Sequence, residues 1–526
     1  MHYEFILSFF FVLIGGAFLS TDDFHMLQQN SYFNSRYLKW FSKNSERYVS
    51  RLAWICVILI SFAIRINDFN IIGCVVTLAF MLWAILGSLK RQKKSIKPLV
   101  FTPRVIRMYV TAVLLLVASF ALAVAFYSSN DFSVIPLLFL SMETPIIVLL
   151  ANIINAPAEA FFRNRFIKDA KRILKSANSL RTIGITGSFG KTSTKFILAR
   201  ILQEKYNLTY TPASFNTPMG VVRTVREQLK PTDSLFICEM GAKNIGDIKE
   251  ICDIVNPDIA VISSVGAQHL ETFKTVENVA KTKFELADAV TKKGGKIYVN
   301  FDSEAARAYA SNYDNIVSFG TGDDCDVKIT NVTCNRNGVQ FDVTYGETSL
   351  QLSSKMLGVH NVLNIAGAVG IALDLGVSET DIKYAVGHLK AVEHRLEMKP
   401  FINGAVLIDD AYNANPTGSA EAVKVLSSFE GMRRVIVTPG LVELGDNEYE
   451  CNKALGKLAA QKLDDVVLVG IERSVPLADG AKEAGISDDH LHIVPTFKDA
   501  MVLLHQIVDN NTVVLFENDL PDNYAK

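Results

Sequence analysis

The chain has 526 residues, which predicts three or four folded units at about 100–200 residues per domain. Its 53 basic and 54 acidic side chains almost cancel, which excludes a strongly basic nucleic-acid surface and an acidic tail. The mean hydropathy of +0.22 is high for a wholly soluble protein, and the first third of the chain accounts for it.

Five apolar stretches in the first 160 residues predict an α-helical membrane domain. They are Phe5–Leu19, Leu52–Ile64, Asn70–Ser88, Met108–Tyr127 and Val134–Ile154. The last three have about the 20 residues that a bilayer-spanning helix needs. The second is shorter, so it either spans a locally thinned bilayer or lies at the interface. The first lacks the basic residues that open a signal peptide, and we therefore interpret it as a span.

Basic residues indicate the orientation of these spans, because they are retained on the cytoplasmic side. Two of the connecting loops are basic, through Arg36, Lys39, Lys43, Arg47 and Arg51 in one and Lys90, Arg91, Lys93, Lys94, Lys97, Arg104 and Arg107 in the other. The alternation predicts a multi-pass protein of the cytoplasmic membrane, with the N-terminus outside and the soluble part in the cytosol. Glu143, within the fifth stretch, is either a functional intramembrane acid or a structural one.

A phosphate-binding loop opens the soluble part. Residues 181–194 read Arg-Thr-Ile-Gly-Ile-Thr-Gly-Ser-Phe-Gly-Lys-Thr-Ser-Thr, a β-rich run followed by glycines and then by a helical pattern. Gly187 and Gly190 let the backbone wrap around anionic oxygens, Lys191 supplies positive charge, and the Thr192 hydroxyl can bind Mg²⁺. The spacing is Thr-Gly-x-x-Gly-Lys-Thr, which differs from the strict Walker spacing.

Further motifs follow this loop in a fixed order. They are Thr211-Pro-Ala-Ser-Phe-Asn-Thr-Pro-Met-Gly220, Glu239-Met-Gly-Ala242, Gln268-His-Leu-Glu271, Ala280-Lys-Thr-Lys-Phe-Glu285, Gly358-Val-His-Asn361 with Asn364, Glu393-His-Arg-Leu-Glu397 and Asp409-Asp-Ala-Tyr-Asn-Ala-Asn-Pro416. In type and order they resemble the motifs of the Mur ligase superfamily, most closely its MurF branch. The resemblance extends roughly from Ile183 to Gly456.

The resemblance implies the fold and the reaction. The fold would be α/β, with a Mur-ligase central P-loop domain at residues 157–397 and a C-terminal Rossmann-like domain at residues 398–526, following the membrane domain at residues 1–156. The reaction would be an ATP-dependent amide ligation, in which a carboxylate is phosphorylated and an amine attacks the acyl phosphate. Both steps gather negative charge, which cations and fixed donors must stabilise.

The resemblance also implies the site residues. The catalytic set is Lys191, Glu239, His269, Lys283 and Arg395. The nucleotide set is Thr186, Gly187, Ser188, Gly190, Lys191, Thr192, Ser193, Asn361, Asn364, Arg395 and Asp410. The Mg²⁺ set is Thr192, Glu239, His269 and Lys283. The asparagines would contact adenine, Arg395 the γ-phosphate, and Asp410 the ribose.

Lys283 is similar to the lysine that Mur ligases carry as a carbamate. Carbamylation needs a neutral amine, so we expect the site to lower the pKa of this lysine. Lys281 is the nearby alternative. Taken alone, His269 would more often be a structural histidine; the motif around it favours a metal ligand.

Departures from the family leave the substrates open. Membrane spans stand where MurF proteins have a sugar-nucleotide-binding domain, and Leu515-Phe-Glu-Asn-Asp-Leu-Pro521 stands where MurF ends a strand in Lys-Gly-Ser. We expect a cell-wall precursor carboxylate, nucleotide-linked or lipid-linked, an amino-acid or dipeptide amine such as D-Ala-D-Ala, and contact with membrane lipid. The alternative is a transporter or envelope-assembly factor driven by a Mur-like ATPase.

Overall fold

The structure, a computed structural model, divides into two units. It describes residues 3–44, 53–54, 57, 69–94, 98–127, 144–177, 179–213, 215–266, 270–412, 415–442 and 444–519. One unit extends to Asn164 and the other covers Arg165–Asp519. The predicted limit at residues 156/157 therefore lies eight residues before this division, and the domain limits remain predictions.

The first unit is helical. Its helices are α1 (Tyr3–Gln29), α2 (Asn34–Lys43), α3 (Phe69–Lys94), α4 (Pro103–Tyr127) and the first part of α5 (Thr144–Ser176), which continues past Asn164 into the second unit. Three described segments are long and apolar enough to cross a bilayer, namely Phe10–Gln29, Cys74–Lys93 and Thr144–Ser176. Most of the second predicted span, the first half of the fifth and Glu143 lie outside the described residues.

A nine-stranded sheet organises the first half of the second unit, with strand order β2-β3-β1-β4-β5-β6-β7-β8-β9. Its strands are β1 (Arg181–Thr186), β2 (Leu208–Tyr210), β3 (Leu235–Glu239), β4 (Ile259–Ile262), β5 (Ile297–Asn300), β6 (Ile316–Gly320), β7 (Val327–Asn335), β8 (Gly338–Tyr345) and β9 (Thr348–Ser354). Pairing is parallel from β2 to β7 and antiparallel from β7 to β9. Strands β1, β3 and β5 are almost continuously buried, as expected for parallel strands covered on both faces.

Helices cover both faces of this sheet. They are α6 (Lys191–Leu202), α7 (Pro218–Glu227), α8 (Asp247–Val255), α9 (Leu270–Phe273), α10 (Val276–Thr291), α11 (Glu304–Ala310), α12 (Val359–Asp374) and α13 (Glu379–Gly387). Helices α6 and α12 pack on one face, while α7, α8 and α10 pack on the other. Helix α6 begins at the carboxyl end of β1, which is where parallel α/β sheets bind ligands.

A six-stranded sheet organises the rest of the second unit, with order β10-β11-β15-β12-β13-β14. Its strands are β10 (Glu397–Pro400), β11 (Val406–Asp410), β12 (Arg433–Thr438), β13 (Asp465–Val469), β14 (Leu491–Val494) and β15 (Thr512–Glu517), and its helices are α14 (Pro416–Ser427), α15 (Glu448–Lys462), α16 (Val475–Glu483) and α17 (Phe497–Ile507). Only β10 is antiparallel to its neighbour among these described strands. The predicted α/β architecture of the soluble part is confirmed.

Candidate active site

The loop between β1 and α6 has the geometry of a phosphate cradle. Gly190 is the N-cap of α6 and has a left-handed φ of 79°, so its backbone turns sharply into the helix. A Cβ at Gly187 would lie 2.1 Å from Oγ of Ser263, so the loop passes too close to the end of β4 for a larger residue. The Ser188 amide donates to the Ser264 carbonyl over 2.8 Å, which fixes the loop against β4.

The Lys191 amine lies inside this loop. Its Nζ donates to the carbonyl oxygens of Gly187 at 2.6 Å and Ser188 at 3.0 Å. Burial lowers the pKa of Lys191 to about 8; the Glu239 carboxylate opposes this shift and the Arg395 charge adds to it. A phosphate in the loop would add negative charge beside this half-buried amine and stabilise its cationic form.

Glu239, the last residue of β3, is the centre of the polar contacts. Its side chain is 1% exposed, and its Oε1 accepts hydrogen bonds from Thr192 Oγ1 at 3.1 Å and Asn216 Nδ2 at 2.9 Å. Its Oε2 lies 2.9 Å from Nζ of the fully buried Lys195. The predicted metal residues Thr192 and Glu239 therefore lie together.

Lys283 faces the same region from α10. It is 1% exposed, and among the described residues no hydrogen bond or ion pair reaches its amine. Burial holds the pKa of Lys283 well below its usual range, and the positive charge of Lys191 lowers it further. The structure thus favours a neutral Lys283 amine, whereas the alternative Lys281 is exposed.

Asn361 and Asn364, on the first turns of α12, lie against the phosphate loop. Oδ1 of Asn364 accepts a hydrogen bond from Thr194 Oγ1 at 3.0 Å. A Cβ added at Gly190 would lie only 2.8 Å from the same oxygen, so the asparagine packs directly against the loop. Nδ2 of Asn361 donates to the Leu357 carbonyl at 2.8 Å. The side chains of both asparagines are buried beside this loop.

Arg395 lies in a constrained segment between the two sheets. Its neighbours His394 and Leu396 have left-handed φ values of 58° and 45°, and its guanidinium lies 5.1 Å from the ring centroid of Tyr412. The segment is held by Asp410, whose Oδ1 accepts from the Leu396 amide at 3.2 Å. Burial raises the pKa of Asp410 to about 6, against the opposing charge of Arg395.

A cavity of about 590 Å³ lies beside these residues, which is a suitable volume for a small-molecule site. The lining includes Thr192, Phe196, Arg200, Tyr210, Ala213, Leu389, Lys390, Arg395 and Tyr412. Thr192 belongs to the phosphate loop and Arg395 to the segment before the second sheet. The cavity therefore connects two of the predicted elements of the site.

Thr186, Ser193 and His269 are the remaining predicted residues of the site. Thr186 ends β1 with its hydroxyl bonded to the Met240 carbonyl at 2.9 Å, and Ser193 is half-buried in the first turn of α6, so the whole predicted loop is present. His269 lies outside the described residues, so its role stays a prediction.

Sequence reasoning missed Lys195 and Asn216 as partners of Glu239. Lys195 follows Lys191 by one helical turn, and that spacing was the available signal.

These residues fit a Mg²⁺-nucleotide. A hydroxyl and a carboxylate oxygen 3.1 Å apart, Thr192 Oγ1 and Glu239 Oε1, form the oxygen-rich edge that Mg²⁺ prefers. Within the described part of the chain, no cluster of three or more His, Cys, Asp and Glu side chains has metal-binding geometry. A cation held by Thr192 and Glu239 would have room in its shell for phosphate oxygens and water, as Mg²⁺ commonly does.

Comparison with known proteins agrees with this geometry. The model of the Mur ligase middle domain matches residues 185–372, and that of the Mur ligase glutamate ligase domain matches residues 394–517. The UDP-N-acetylmuramoyl-tripeptide–D-alanyl-D-alanine ligase of Bacillus subtilis is 29% identical, over 64% of this chain and 72% of the relative. The corresponding ligase of Escherichia coli is 30% identical, over 58% of this chain and 68% of the relative.

Solved structures give the same result. MurF from Acinetobacter baumannii superposes with a TM-score of 0.61 at 28% identity, covering 68% of this chain and 77% of that one. MurF from Thermotoga maritima in complex with ADP superposes with a TM-score of 0.59 at 26% identity, covering 68% of this chain and 80% of that one. The chain belongs to the Mur ligase family, and the relatives named here are of its MurF type. It is an ATP-dependent ligase, and residues before 185 lie outside both family models.

Proposed function

We propose that the chain joins the carboxylate of a peptidoglycan precursor to D-Ala-D-Ala or a related amine through an acyl phosphate. The names of its relatives state this pair of substrates for those proteins. The observation that carries the proposal is the grouping of Lys191 and Thr192 beside Glu239, with Lys283 close enough to Lys191 for their charges to interact. A phosphoryl transfer between two anions needs such a concentration of cations and oxygen ligands.

In this proposal the loop amides and Lys191 hold the β- and γ-phosphates, and Arg395 reaches the γ-phosphate from the other side. Mg²⁺, held by Thr192, Glu239 and His269, would neutralise charge on the phosphoryl group. Asn361, Asn364 and Asp410 would hold the adenosine part. The protein groups thus orient the carboxylate for attack on the γ-phosphorus, and the amine nitrogen then displaces phosphate from the acyl carbon.

We infer that Lys283 is carbamylated in the active enzyme. The neutral amine adds to the carbon of CO₂ and releases one proton, which converts a cation site into an anion able to bind metal. The burial of Lys283, its freedom from described partners and the nearby Lys191 charge all support this step.

The helical unit is proposed to be a multi-pass domain of the cytoplasmic membrane. Ion pairs of Asp22, Arg91, Arg107 and Glu159 support the predicted topology. Arg91 pairs with Asp22 at 2.6 Å, and Arg107 pairs with Glu159 at 2.5 Å. All four residues lie just outside the predicted spans, on the side that the topology assigns to the cytoplasm. A membrane location in turn makes a lipid-linked carboxylate a candidate substrate beside a nucleotide-linked one.

Purified full-length enzyme in detergent tests this function. With ATP, Mg²⁺ and D-Ala-D-Ala, it is offered UDP-MurNAc-tripeptide in one assay and the polyprenyl-diphosphate-linked form of the same sugar peptide in another. We expect ADP, phosphate and a new amide, detected by mass spectrometry, from at least one acceptor. ATP hydrolysis that ignores every carboxylate and amine would instead favour a transporter or assembly factor.

A further inference from the structure

Lys195 occupies an unusual position in the site, because it is a completely buried cation that the proposed reaction does not use. Its amine pairs with Oε2 of Glu239 at 2.9 Å and also donates to the carbonyl oxygen of Ala213. Ala213 has a left-handed φ of 41°, so its carbonyl is turned out of the ordinary strand direction. One amine thus joins helix α6, strand β3 and the segment that follows β2.

Other contacts hold the same segment around Glu239. The Glu239 amide donates to Thr211 Oγ1 at 3.0 Å, and the Gly241 amide donates to the Asn216 carbonyl at 2.8 Å. A Cβ at Gly241 would lie 2.7 Å from the Asn216 side chain, so the segments that contain these two residues pack closely. This packing leaves the Glu239 carboxylate little freedom to rotate.

The two oxygens of this carboxylate have different surroundings. Oε2 is held by Lys195 in the buried interior. Oε1 is held by Asn216 at 2.9 Å and faces the Thr192 hydroxyl at 3.1 Å, beside the phosphate loop. Only Oε1 is directed toward the position where a nucleotide-bound cation would share Thr192.

We propose that Lys195 is a positioning residue that withholds Oε2 of Glu239 from the metal, so that Glu239 binds the nucleotide-associated cation through Oε1 alone. The inference rests on the proposed role of Glu239 as a Mg²⁺ ligand. Its chemical consequence is selectivity. Mg²⁺ requires a compact octahedral shell, whereas the larger Ca²⁺ readily accepts both oxygens of one carboxylate. A carboxylate restricted to one oxygen favours Mg²⁺.

The test measures nucleotide binding rather than turnover. Fluorescent mant-ADP is titrated into full-length protein in EDTA, in Mg²⁺ and in Ca²⁺, and the ratio of the two metal-supported affinities is recorded. In Lys195→Met the Mg²⁺-supported affinity is expected to fall by about 10–100-fold, the usual effect of removing a group that orients a metal ligand, and the Mg²⁺-over-Ca²⁺ ratio is expected to fall with it. Lys195→Gln is neutral and too short to span the gap, so the same fall is expected.

Lys205→Met is the matched control, since this lysine lies just beyond the end of α6 and bonds the Leu375 and Gly376 carbonyls. Its ratio should equal that of the unmodified protein. If Lys195→Met does not fold, the Gln variant decides. An unchanged ratio in the folded Lys195 variants overturns the inference while leaving the proposed function intact. Binding of mant-ADP by the unmodified protein that ignores both cations contradicts the metal site itself, and this inference with it.

Discussion

Lys283 and Lys281 lie two residues apart on α10 and offer a direct comparison. Lys283 is buried and Lys281 is exposed, and burial lowers the pKa of Lys283, which favours the neutral amine that CO₂ can modify. We expect Lys283→Ala to lower kcat/KM for ligation by about 10–100-fold, as loss of a group that organises a metal site commonly does. Lys281→Ala should retain full activity.

Bicarbonate separates carbamylation from a simple structural role. Enzyme stripped of CO₂ should regain activity when bicarbonate is added, and Lys283→Ala should not respond. Mass spectrometry after trapping the carbamate would locate it. A Lys283→Ala variant that ligates normally, or a trapped carbamate on Lys281, would contradict the assignment.

Glu517 and Asp410 give a prediction about pH. Glu517 is fully buried, accepts a hydrogen bond from the Ser419 hydroxyl, and its Oε2 has no hydrogen-bond partner among the described residues. Burial, then the Asp410 charge, raises the pKa of Glu517 well above its usual range, and the pKa of Asp410 is about 6. At these two carboxyls the folded state therefore binds more protons than the unfolded state, between about pH 4 and their folded-state pKa values.

The contribution of these two carboxyls to the free energy of unfolding should consequently fall as pH rises through 6. Glu517→Gln keeps the acceptor for Ser419 and removes the charge, so it should raise the melting temperature at pH 8 by roughly 2–8 °C, at about 2–4 °C per kcal/mol. The difference in melting temperature between the Glu517→Gln variant and the unmodified protein should be smaller at pH 5. Thermal melts at both pH values check this, with the exposed Glu430→Gln as a neutral control. Equal destabilisation by Glu517→Gln at both pH values would refute it.

At the residue scale, sequence reasoning placed the ligands better than their supports. Thr192 and Glu239 were predicted and lie together. Lys195 and Asn216 were not, because their contacts with Glu239 join segments far apart in the chain. Spacing along one segment indicates that Lys195 lies on the same helix face as Lys191, but it does not show which carboxylate Lys195 contacts. The roles of all these residues, and that of His269, stay predictions.

The phosphate loop and α6 act as one element, and Gly190 is the residue on which their geometry depends. In Gly190→Ala the left-handed backbone should cost about 1–2 kcal/mol. The new methyl would also lie 2.8 Å from Asn364 Oδ1, displacing that asparagine and its bond to Thr194. We therefore expect loss of nucleotide binding as well as lower thermal stability.

Gly294→Ala separates these two effects. Gly294, in the turn after α10, has a similar φ of 67°, but an added Cβ would meet nothing within 4 Å among the described residues. The substitution should lower thermal stability by a similar amount and leave mant-ADP affinity unchanged. Normal nucleotide binding by Gly190→Ala would show that the loop tolerates the methyl, and that the Asn364 contact is unimportant.

At the element scale, local patterns predicted the presence of elements better than their ends. The run before Gly187 predicted β1, and the pattern after it predicted α6, because buried parallel strands and packed helices carry strong apolar signals. Helix α1 continues ten residues beyond the predicted span, to Gln29, and α5 continues to Ser176. Hydropathy marks what is apolar, and a helix continues through polar residues wherever its backbone bonds are satisfied.

At the scale of the whole molecule, residues 1–164 and the ligase unit are joined in one chain, so the proposed orientation of the first in the membrane would determine the compartment of the second. The predicted topology places the loop around Lys97 inside and the loop around Asn130 outside, because basic residues concentrate in the first and not in the second. A ligase that consumes ATP must face the cytosol, which the same topology provides for everything after Ile154.

Reporter fusions test this orientation in cells. Alkaline phosphatase, which is active only outside the cytoplasm, should be active when fused after Asn130 and inactive when fused after Lys97 or at the C-terminus. Green fluorescent protein should give the reverse pattern, which controls for expression. The full chain should also remain in the membrane fraction after alkaline carbonate extraction, since spanning helices are not released as peripheral proteins are. Release by carbonate would identify the helical unit as a soluble bundle, and would remove the reason to expect a lipid-linked acceptor.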